Sequence, residues 1–230
     1  MATGTLLARL RDFALDFVFP PRCAACGGSG ALLHSACVDA MLPAAPPRCA
    51  WCWDTSATER CAECARRPPA FDGLRSLYVM TGGAREAVHA LKYRGHAAAG
   101  RPMGELMAAG ARAMRVEADV VTSVPLIGRR RRVRGYNQSE ILGRVVAGTL
   151  GLPFDPGALR RVRASPPQAR AATPEERRRN VEGAFVARAP RVARRRVLLV
   201  DDVATTGATL DACARALKDA NAREVWCLTW

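Results

Sequence analysis

The pattern of apolar and polar positions divides the chain into short elements, of which one apolar run is the clearest. Residues 197–200 are four consecutive apolar residues, two of them β-branched valines, a pattern typical of a strand buried on both faces. Two carboxylates, Asp201 and Asp202, follow the run. After a loop of small residues, apolar positions recur at helical spacing from Leu210 to Leu217. The segment therefore predicts a strand, a loop and a helix in succession.

Similar patterns along the rest of the chain predict an α/β protein. Apolar residues at helical spacing predict helices between residues 84 and 91, 104 and 114, and 138 and 146. Short apolar runs predict strands within residues 71–79, 119–124, 183–186 and 225–230. Residues 151–182 have weak periodicity and are rich in Pro, Ala and Arg, which predicts a long mobile loop with a short helix.

Residues 1–20 predict an amphipathic helix, because apolar side chains recur at helical spacing from Leu6 to Phe17. Its apolar face can dock on the next domain or lie on a membrane surface, and the absence of a basic polar face favours docking. The sequence has no run of about 18 apolar residues that could cross a membrane. Charged residues between Arg9 and Asp16 interrupt any signal peptide, so we expect a cytoplasmic protein.

Cysteines and one histidine form two similar blocks between residues 21 and 67. In each block, two ligands separated by two residues are followed by a second such pair. The ligands are Cys23, Cys26, His34 and Cys37 in the first block and Cys49, Cys52, Cys61 and Cys64 in the second. Each pair makes a tight turn, and two turns complete a tetrahedral site for which zinc is the natural metal. We therefore expect a zinc-ribbon-like module with structural zinc.

Several properties of this module stay open at the level of sequence. The alternative for His34 is an ordinary exposed histidine beside an incomplete site. The pairs can also interleave, with the first pair sharing an ion with the third, while an iron–sulfur cluster suits this spacing less well. Trp51 and Trp53 flank Cys52 and either pack against the larger domain or stack on a base. The near-neutral charge of residues 1–70 favours a scaffold over a DNA contact.

The segment after residues 197–200 has the chemistry of a site for a phosphorylated ribose. Ligands bind beyond the carboxyl ends of the strands in an open parallel sheet, and a helix that opens near Thr206 directs free N–H groups there. Asp201 and Asp202 repel phosphate but suit sugar hydroxyls or a shared divalent ion. Gly207 lets the backbone come close to a ligand, and Thr205, Thr206 and Thr209 add hydroxyl donors, so this loop is a candidate phosphate cradle. A simpler alternative is a strand that ends in a solvated acidic pair, with a threonine as N-cap.

A net charge of +14 favours polyanionic partners such as nucleic acid or phosphorylated ligands. The excess lies beyond residue 70 and includes the run Arg129, Arg130, Arg131, Arg132 and Arg134. This run follows Pro125 and Leu126, and it is a candidate nucleic-acid surface, although such runs are usually solvated faces. Lys92 and Arg94 precede a glycine turn; they bind an anion or simply complement the end of a helix.

The order of these motifs resembles that of the ComF family of competence proteins. The motifs are L-K-Y-R-G-H at residues 91–96, V-P-L at 124–126, R-G-Y-N-Q-S at 134–139, R-R-R-N-V-E-G-A-F at 177–185 and V-D-D-V-x-T-T-G-A-T at 200–209. The last motif is also similar to the phosphoribosyl pyrophosphate (PRPP) signature of type I phosphoribosyltransferases. His34 is a departure, because a family member is expected to have cysteine there.

The resemblance implies a type I phosphoribosyltransferase-like parallel sheet flanked by helices. The expected organisation is an N-terminal helix at residues 1–20, a zinc module at 21–67 and the phosphoribosyltransferase-like domain at 70–230. PRPP would bind with Mg²⁺, and its ribose would lie on Asp201 and Asp202. The residues implied for its 5′-phosphate are Ala204, Thr205, Thr206, Gly207, Ala208 and Thr209. The implied pyrophosphate contacts are Pro125, Leu126, Lys92, Arg94, Arg129 and Arg134.

The resemblance also implies a role in the uptake of transforming DNA, with contact to single-stranded DNA and to DNA-uptake or recombination proteins. Two other functions stay open. One is an active transferase that joins a nitrogen nucleophile to ribose 5-phosphate, and the other is a regulator that senses PRPP or nucleotides. The C-terminal strand contains no evident base-recognition element, and the sequence assigns no catalytic residue.

Overall fold

A computed structural model of the chain describes residues 20–126, 135–163 and 173–230. Its central feature is a sheet of four parallel strands in the order β1-β6-β5-β2. These strands are β1 (Gly73–Ser76), β2 (Val120–Ser123), β5 (Arg196–Val200) and β6 (Glu224–Thr229). A separate antiparallel pair consists of β3 (Leu159–Arg161) and β4 (Phe185–Ala187).

Helices lie on both faces of the sheet and in the N-terminal module. In chain order they are α1 (Ser35–Asp39), α2 (Ala62–Arg66), α3 (Gly82–Tyr93), α4 (Gly100–Ala113), α5 (Gln138–Leu150), α6 (Pro174–Arg179), α7 (Ala189–Val192) and α8 (Ala208–Asp219). A single 3-10 turn at Ala97–Ala99 joins α3 to α4.

The apolar run of β5 is explained by burial on both faces of the sheet. Val197 and Leu199 pack into a core formed with α8 and the β3–β4 pair. Leu198 and Val200 point the other way, into a core formed with α3, α4 and α5. Since successive side chains of a strand point to opposite faces, a strand covered on both faces needs apolar residues at every position.

Helices α4 and α5 cross closely because glycine leaves room for the opposing side chain. A Cβ atom at Gly104 would lie 2.6 Å from Cβ of Val145, a distance that real side chains do not adopt. Leu142 and Val146 on the same helix are fully buried. This packing holds α5 against the sheet and places its first residues at the carboxyl end of β2 and β5.

The N-terminal module is attached to β1 through the turn at Cys49–Cys52, which begins its second ligand block. The backbone N–H of Leu74 donates to the carbonyl of Trp51 at 2.7 Å. The Trp53 indole N–H donates to the carbonyls of Ala44 and Ser76 at 3.0 and 3.1 Å. The guanidinium of Arg75 lies over the Trp53 ring at 4.3 Å. Packing against the larger domain is therefore the role of Trp53 in this fold.

The predicted order of elements after residue 70 agrees with the structure, with differences at the ends. β1 stops at Ser76, and α8 begins at Ala208 rather than near Thr206. Strand β3, in the segment expected to be a loop, was not predicted. Residues 1–19 of the segment predicted to be a helix (1–20), the arginine run and residues 164–172 lie outside the described residues. No helix in the described ranges is long and apolar enough to cross a membrane.

Candidate functional site

Two buried carboxylates mark the carboxyl end of β5. Asp201 and Asp202 are 9% and 3% exposed. The Ser139 hydroxyl donates to Asp201 Oδ1 at 2.6 Å, and the backbone N–H of Asp202 donates to the same oxygen at 2.9 Å. Lys92 Nζ lies 2.8 Å from Asp202 Oδ1. The second oxygen of Asp202 has no hydrogen-bond partner among the described residues, so this pair leaves one buried acceptor for a ligand.

The environment of Asp201 favours its protonated form. Burial raises the pKa of Asp201 to about 7, and the neighbouring charge of Asp202 acts in the same direction. The hydrogen bond from Ser139 and the positive charge of Lys92 oppose this rise. Asp201 therefore titrates near neutral pH.

The loop between β5 and α8 presents backbone to the same edge of the sheet. Gly207 has φ of +68° and serves as the N-cap of α8, a conformation that glycine adopts without strain. Residues 203–210 line a depression of about 30 Å³. Since the first N–H groups of a helix lack intrahelical partners, α8 directs donors and a partial positive charge towards this loop. The geometry suits a phosphate group.

The end of β2 is fixed to the start of α5 beside the acidic pair. The Asn137 side chain accepts from the Ser139 N–H at 3.1 Å and donates to the Val124 carbonyl at 3.0 Å. This cap holds the Ser139 hydroxyl against Asp201, and it places the backbone of Pro125 and Leu126 directly after the anchored Val124 carbonyl.

Two of the predicted anion-binding cations, Lys92 and Arg94, have different acidic partners. Lys92 reaches the acidic pair, whereas Arg94 is exposed and pairs with Glu86 at 2.9 Å. The candidates Arg129, Arg130, Arg131, Arg132 and Arg134 lie outside the described residues.

A cavity of about 630 Å³ opens between the loop that joins β5 to α8 and the second ligand block of the N-terminal module, Cys49 to Cys64. Loop residues 203–208 line the cavity together with Ser76 at the end of β1 and Trp230 directly after β6. Its aromatic lining consists of Trp53, Phe71, Tyr78 and Trp230. The rings of Tyr78 and Trp230 are 4.8 Å apart. Sequence reasoning missed this cavity, because its walls come from segments more than 100 residues apart.

The eight candidate metal ligands form two groups that follow the sequence blocks. Within each group the ligand atoms all lie within 4.8 Å of one another. The groups are Cys23, Cys26, His34 and Cys37, and Cys49, Cys52, Cys61 and Cys64. His34 is therefore in the first group, and the described geometry has no interleaved pairing. Four sulfur and nitrogen ligands at this spacing fit a structural zinc ion, so each group can hold a metal.

Each group has one cysteine whose thiolate is stabilised in the same way, Cys23 in the first and Cys49 in the second. Burial opposes ionisation of Cys23, but backbone N–H groups, that of His34 foremost, lower its pKa to about 7. Burial also opposes ionisation of Cys49, and N–H groups led by that of Cys61 lower its pKa to about 6. The corresponding N–H to Sγ distances are both 3.4 Å. The same N–H···S bond therefore joins the two turns of each block, as an internal repeat predicts.

The two cysteines outside these groups have packing positions. Cys213 and Cys227 are fully buried in the core on the α8 side of the sheet. Burial raises the pKa of both thiols well above the ordinary value. Inert, protonated packing side chains are the expected result.

Comparisons with known proteins agree with this architecture. A family model described as "Phosphoribosyl transferase domain" matches residues 138–230. DNA utilization protein YhgH of Salmonella typhimurium is 31% identical over 214 residues, which span 90% of this chain and 88% of that protein. Competence protein F of Haemophilus influenzae is 33% identical over 109 residues, 46% of this chain and 47% of that protein.

Among solved structures, the glutamine PRPP amidotransferase from B. subtilis, complexed with ADP and GMP, aligns with 56% of this chain and 26% of its own. The alignment has 26% sequence identity and a TM-score of 0.40.

Proposed function

We propose that this chain binds PRPP and single-stranded DNA in the cytoplasm and supports DNA uptake. The proposal starts from its family, since the chain belongs to the ComF family together with DNA utilization protein YhgH and competence protein F. The observation that carries the PRPP proposal is the unpartnered oxygen of Asp202, which is buried at the carboxyl end of β5. A buried acceptor without a donor is costly, and a ribose hydroxyl supplies the missing donor.

In this proposal each part of the ligand meets residues of matching chemistry. Asp201 and Asp202 accept hydrogen bonds from the ribose hydroxyls, and the backbone of residues 204–209 donates to the 5′-phosphate. The backbone of Pro125 and Leu126 and the cations Lys92, Arg94, Arg129 and Arg134 are proposed to hold the pyrophosphate. Mg²⁺ bound with PRPP would neutralise pyrophosphate charge. The metal module, loaded with zinc, acts as a structural scaffold.

The DNA proposal is supported by charge and by the names of the relatives. The chain carries a net charge of +14, and a basic surface attracts the phosphates of a strand. We place the main contact on Arg129, Arg130, Arg131, Arg132 and Arg134. Partner proteins of DNA uptake or recombination complete the proposed pathway.

The alternative function is an active phosphoribosyltransferase that moves ribose 5-phosphate from PRPP to a nitrogenous acceptor. The specific observation in its favour is the cavity of about 630 Å³ beside the loop proposed to bind the 5′-phosphate, since an acceptor must lie next to the ribose. Release of pyrophosphate from PRPP, measured across a panel of bases, tests this alternative. Turnover with at least one base supports it, and an absence of turnover with every base rejects a salvage role.

The PRPP proposal is tested by calorimetric titration of PRPP with Mg²⁺ into the metal-loaded protein. We expect binding by the wild type and none by the double variant Asp201→Asn, Asp202→Asn. The control is Asp219→Asn, because Asp219 is exposed near the end of α8 and its change removes negative charge away from the site. An absence of binding by the folded wild type rejects the proposal.

The DNA proposal is tested by the salt dependence of affinity for an oligodeoxythymidine strand. Phosphate contacts release counterions, so the dissociation constant rises steeply between low and high salt. Replacing Arg130, Arg131 and Arg132 with alanine should weaken binding and reduce the slope by about two. Affinity that does not change with salt contradicts the proposal.

A further inference from the structure

We infer that one face of α3 is a contact surface for a single strand of DNA, on which the ring of Tyr93 stacks with one base. Arg85, at the other end of this face, contacts a backbone phosphate. The inference rests on the DNA binding proposed above. It adds a base contact, made by residues that the structure describes, to the phosphate contacts proposed for the arginine run.

The first argument is the exposure of Tyr93. Tyr93 is the last residue of α3 and is 69% exposed, more than any other large hydrophobic side chain among the described residues. An exposed aromatic ring can stack on a base of any sequence, because every base has a flat π face.

The second argument is that a neighbouring side chain holds the ring of Tyr93. The ring centroids of Tyr93 and His89 are 5.6 Å apart, and the ring planes make an angle of 67°, an edge-to-face arrangement. His89 precedes Tyr93 by four residues, so the two side chains are neighbours on the helix surface. A ring that is already held loses little freedom when a base stacks on it.

The third argument is the open surface at the end of the helix. Gly95 follows α3 with φ of +69°, and a Cβ atom built there would meet no atom of the described residues within 4 Å. Arg94, between Tyr93 and Gly95, is also exposed. The chain after the helix therefore leaves the surface next to Tyr93 accessible to a planar group.

The fourth argument is the positive charge on the same face. Arg85, His89 and Tyr93 are spaced four residues apart, which places them on one side of α3. Arg85 is exposed and forms no ion pair among the described residues. A rise of about 1.5 Å per residue puts Arg85 about 12 Å from Tyr93 along the helix axis, a span that a few nucleotides of an extended strand can cover.

The acidic group of this helix does not oppose a phosphate. Glu86 is the one carboxylate within Gly82–Tyr93, and it pairs with Arg94 at 2.9 Å. The positive charge of Arg85 is therefore available to a backbone phosphate, and a contact of this kind is sensitive to salt.

The fifth argument is the position of α3 beside the DNA contact proposed above. Tyr136 is the second residue after the arginine run, and its hydroxyl donates to the carbonyl of Leu91. This bond ties the chain just beyond the run to the last turn of α3, two residues before Tyr93. One strand can therefore place phosphates on the run and a base on Tyr93.

The surface suits a single strand and not a duplex. A base in a duplex is stacked on both faces and paired, whereas a base in a single strand can turn out and stack on an aromatic side chain. Tyr93 should therefore contribute to the binding of a single strand and leave the binding of a duplex unchanged.

The test separates the contribution of a base from that of the phosphates. Fluorescence anisotropy measures the affinity of the full-length, metal-loaded protein for an oligodeoxythymidine strand, an abasic strand of the same length and a duplex of that length. We expect the wild type to bind oligodeoxythymidine about tenfold more tightly than the abasic strand, which is the effect of stacking one base.

Two substitutions of Tyr93 examine the ring itself. Tyr93→Ala should remove the tenfold preference while affinity for the abasic strand and for the duplex stays within about twofold. The salt dependence should stay the same, because no phosphate contact is lost. Tyr93→Phe keeps the ring and should keep the preference.

Arg85→Ala and a control complete the set. Arg85→Ala should weaken the binding of both single strands alike and reduce the salt slope by about one. Val186→Ala is the matched control, since Val186 is 46% exposed on β4, whose neighbour Phe185 packs on the other side of the sheet from α3. It should change neither quantity. Thermal melts check that each variant is folded.

The outcomes separate this inference from the proposed function. Equal affinity of the wild type for oligodeoxythymidine and the abasic strand overturns the inference and leaves DNA binding through phosphates standing. A preference for bases that survives in Tyr93→Ala also overturns it. An absence of binding to every strand rejects the DNA proposal and this inference together.

Discussion

At the scale of single residues, the ion pair of Lys92 and Asp202 is expected to matter for stability. Lys92 pairs with one oxygen of the buried Asp202 carboxylate, and the other oxygen has no hydrogen-bond partner among the described residues. Lys92→Met should lower the free energy of unfolding by about 2 kcal/mol, because it leaves that charge buried and unpaired. Denaturant titration at pH 7 measures the loss, and adding Asp202→Asn should recover most of it.

The control for that prediction lies two residues further along the chain. Arg94 and Glu86 form an exposed pair, 56% and 42% accessible, and exposed pairs contribute little. Arg94→Met should therefore change stability by less than about 0.5 kcal/mol. Equal losses in the two variants would contradict a special role for Lys92.

The pH dependence of stability provides a second residue-scale prediction, at Asp201. Its pKa is raised from 3.8 to about 7, first by burial and then by the charge of Asp202. The folded state therefore binds this proton more tightly than the unfolded state, and the resulting stability is lost as the pH rises from about 4 to about 7. Relative to the wild type, Asp201→Asn should gain on the order of 2 kcal/mol between pH 5 and pH 8.

Unfolding titrations of both proteins at each pH give that difference, in which the titration of the metal ligands cancels. Asparagine keeps an oxygen that can accept from Ser139 and from the Asp202 N–H. A difference between Asp201→Asn and the wild type that stays constant from pH 5 to pH 8 would contradict the prediction, because it would mean that Asp201 does not change its ionisation over this range.

At the scale of elements, the N-cap of α5 connects the core to the site. Asn137 is 6% exposed, caps the helix and donates to the carbonyl of Val124. Asn137→Ala should lower the free energy of unfolding by about 2 kcal/mol, because the helix loses its cap and the Val124 carbonyl loses its donor. Thr173→Ala, at the exposed capping box of α6, should cost about 0.5–1 kcal/mol. Denaturant titration of the two variants measures both costs, and a smaller loss at Asn137 than at Thr173 would contradict the argument.

Local sequence was sufficient for some elements and insufficient for others. Strand β5 and the two candidate ligand groups could be predicted because residues 197–200 and the spacing of the cysteines and His34 carry the whole signal. Strand β3 could not, since Leu159–Arg161 has one buried residue and its strand partner β4 lies more than 20 residues further along the chain. The Ser139 contact was equally hidden: the residue lies in a recognised motif, but its partner is 62 positions away.

At the scale of the whole molecule, the two metal groups support different parts of the structure. The turn at Cys23–Cys26 of the first group packs on the start of α3, where a Cβ atom at Gly83 would lie 3.4 Å from Cβ of Ala25. The second group is hydrogen-bonded to β1 through Trp51 and Trp53. Three of its cysteines line the cavity. Loss of one metal should therefore have a different consequence from loss of the other.

We expect the wild type to bind two zinc ions per chain, one for each ligand group, and Cys26→Ser and Cys61→Ser to bind one each. Both variants should melt at lower temperature, because metal binding contributes to folding free energy. Only Cys61→Ser should also weaken the binding of PRPP, since its group lines the same cavity as loop residues 203–208. Metal analysis, thermal melts and PRPP titration on the same preparations measure the three effects. Equal loss of PRPP affinity in both variants would mean that the module stabilises the fold as one unit, without a separate contribution from its second ligand group to the cavity.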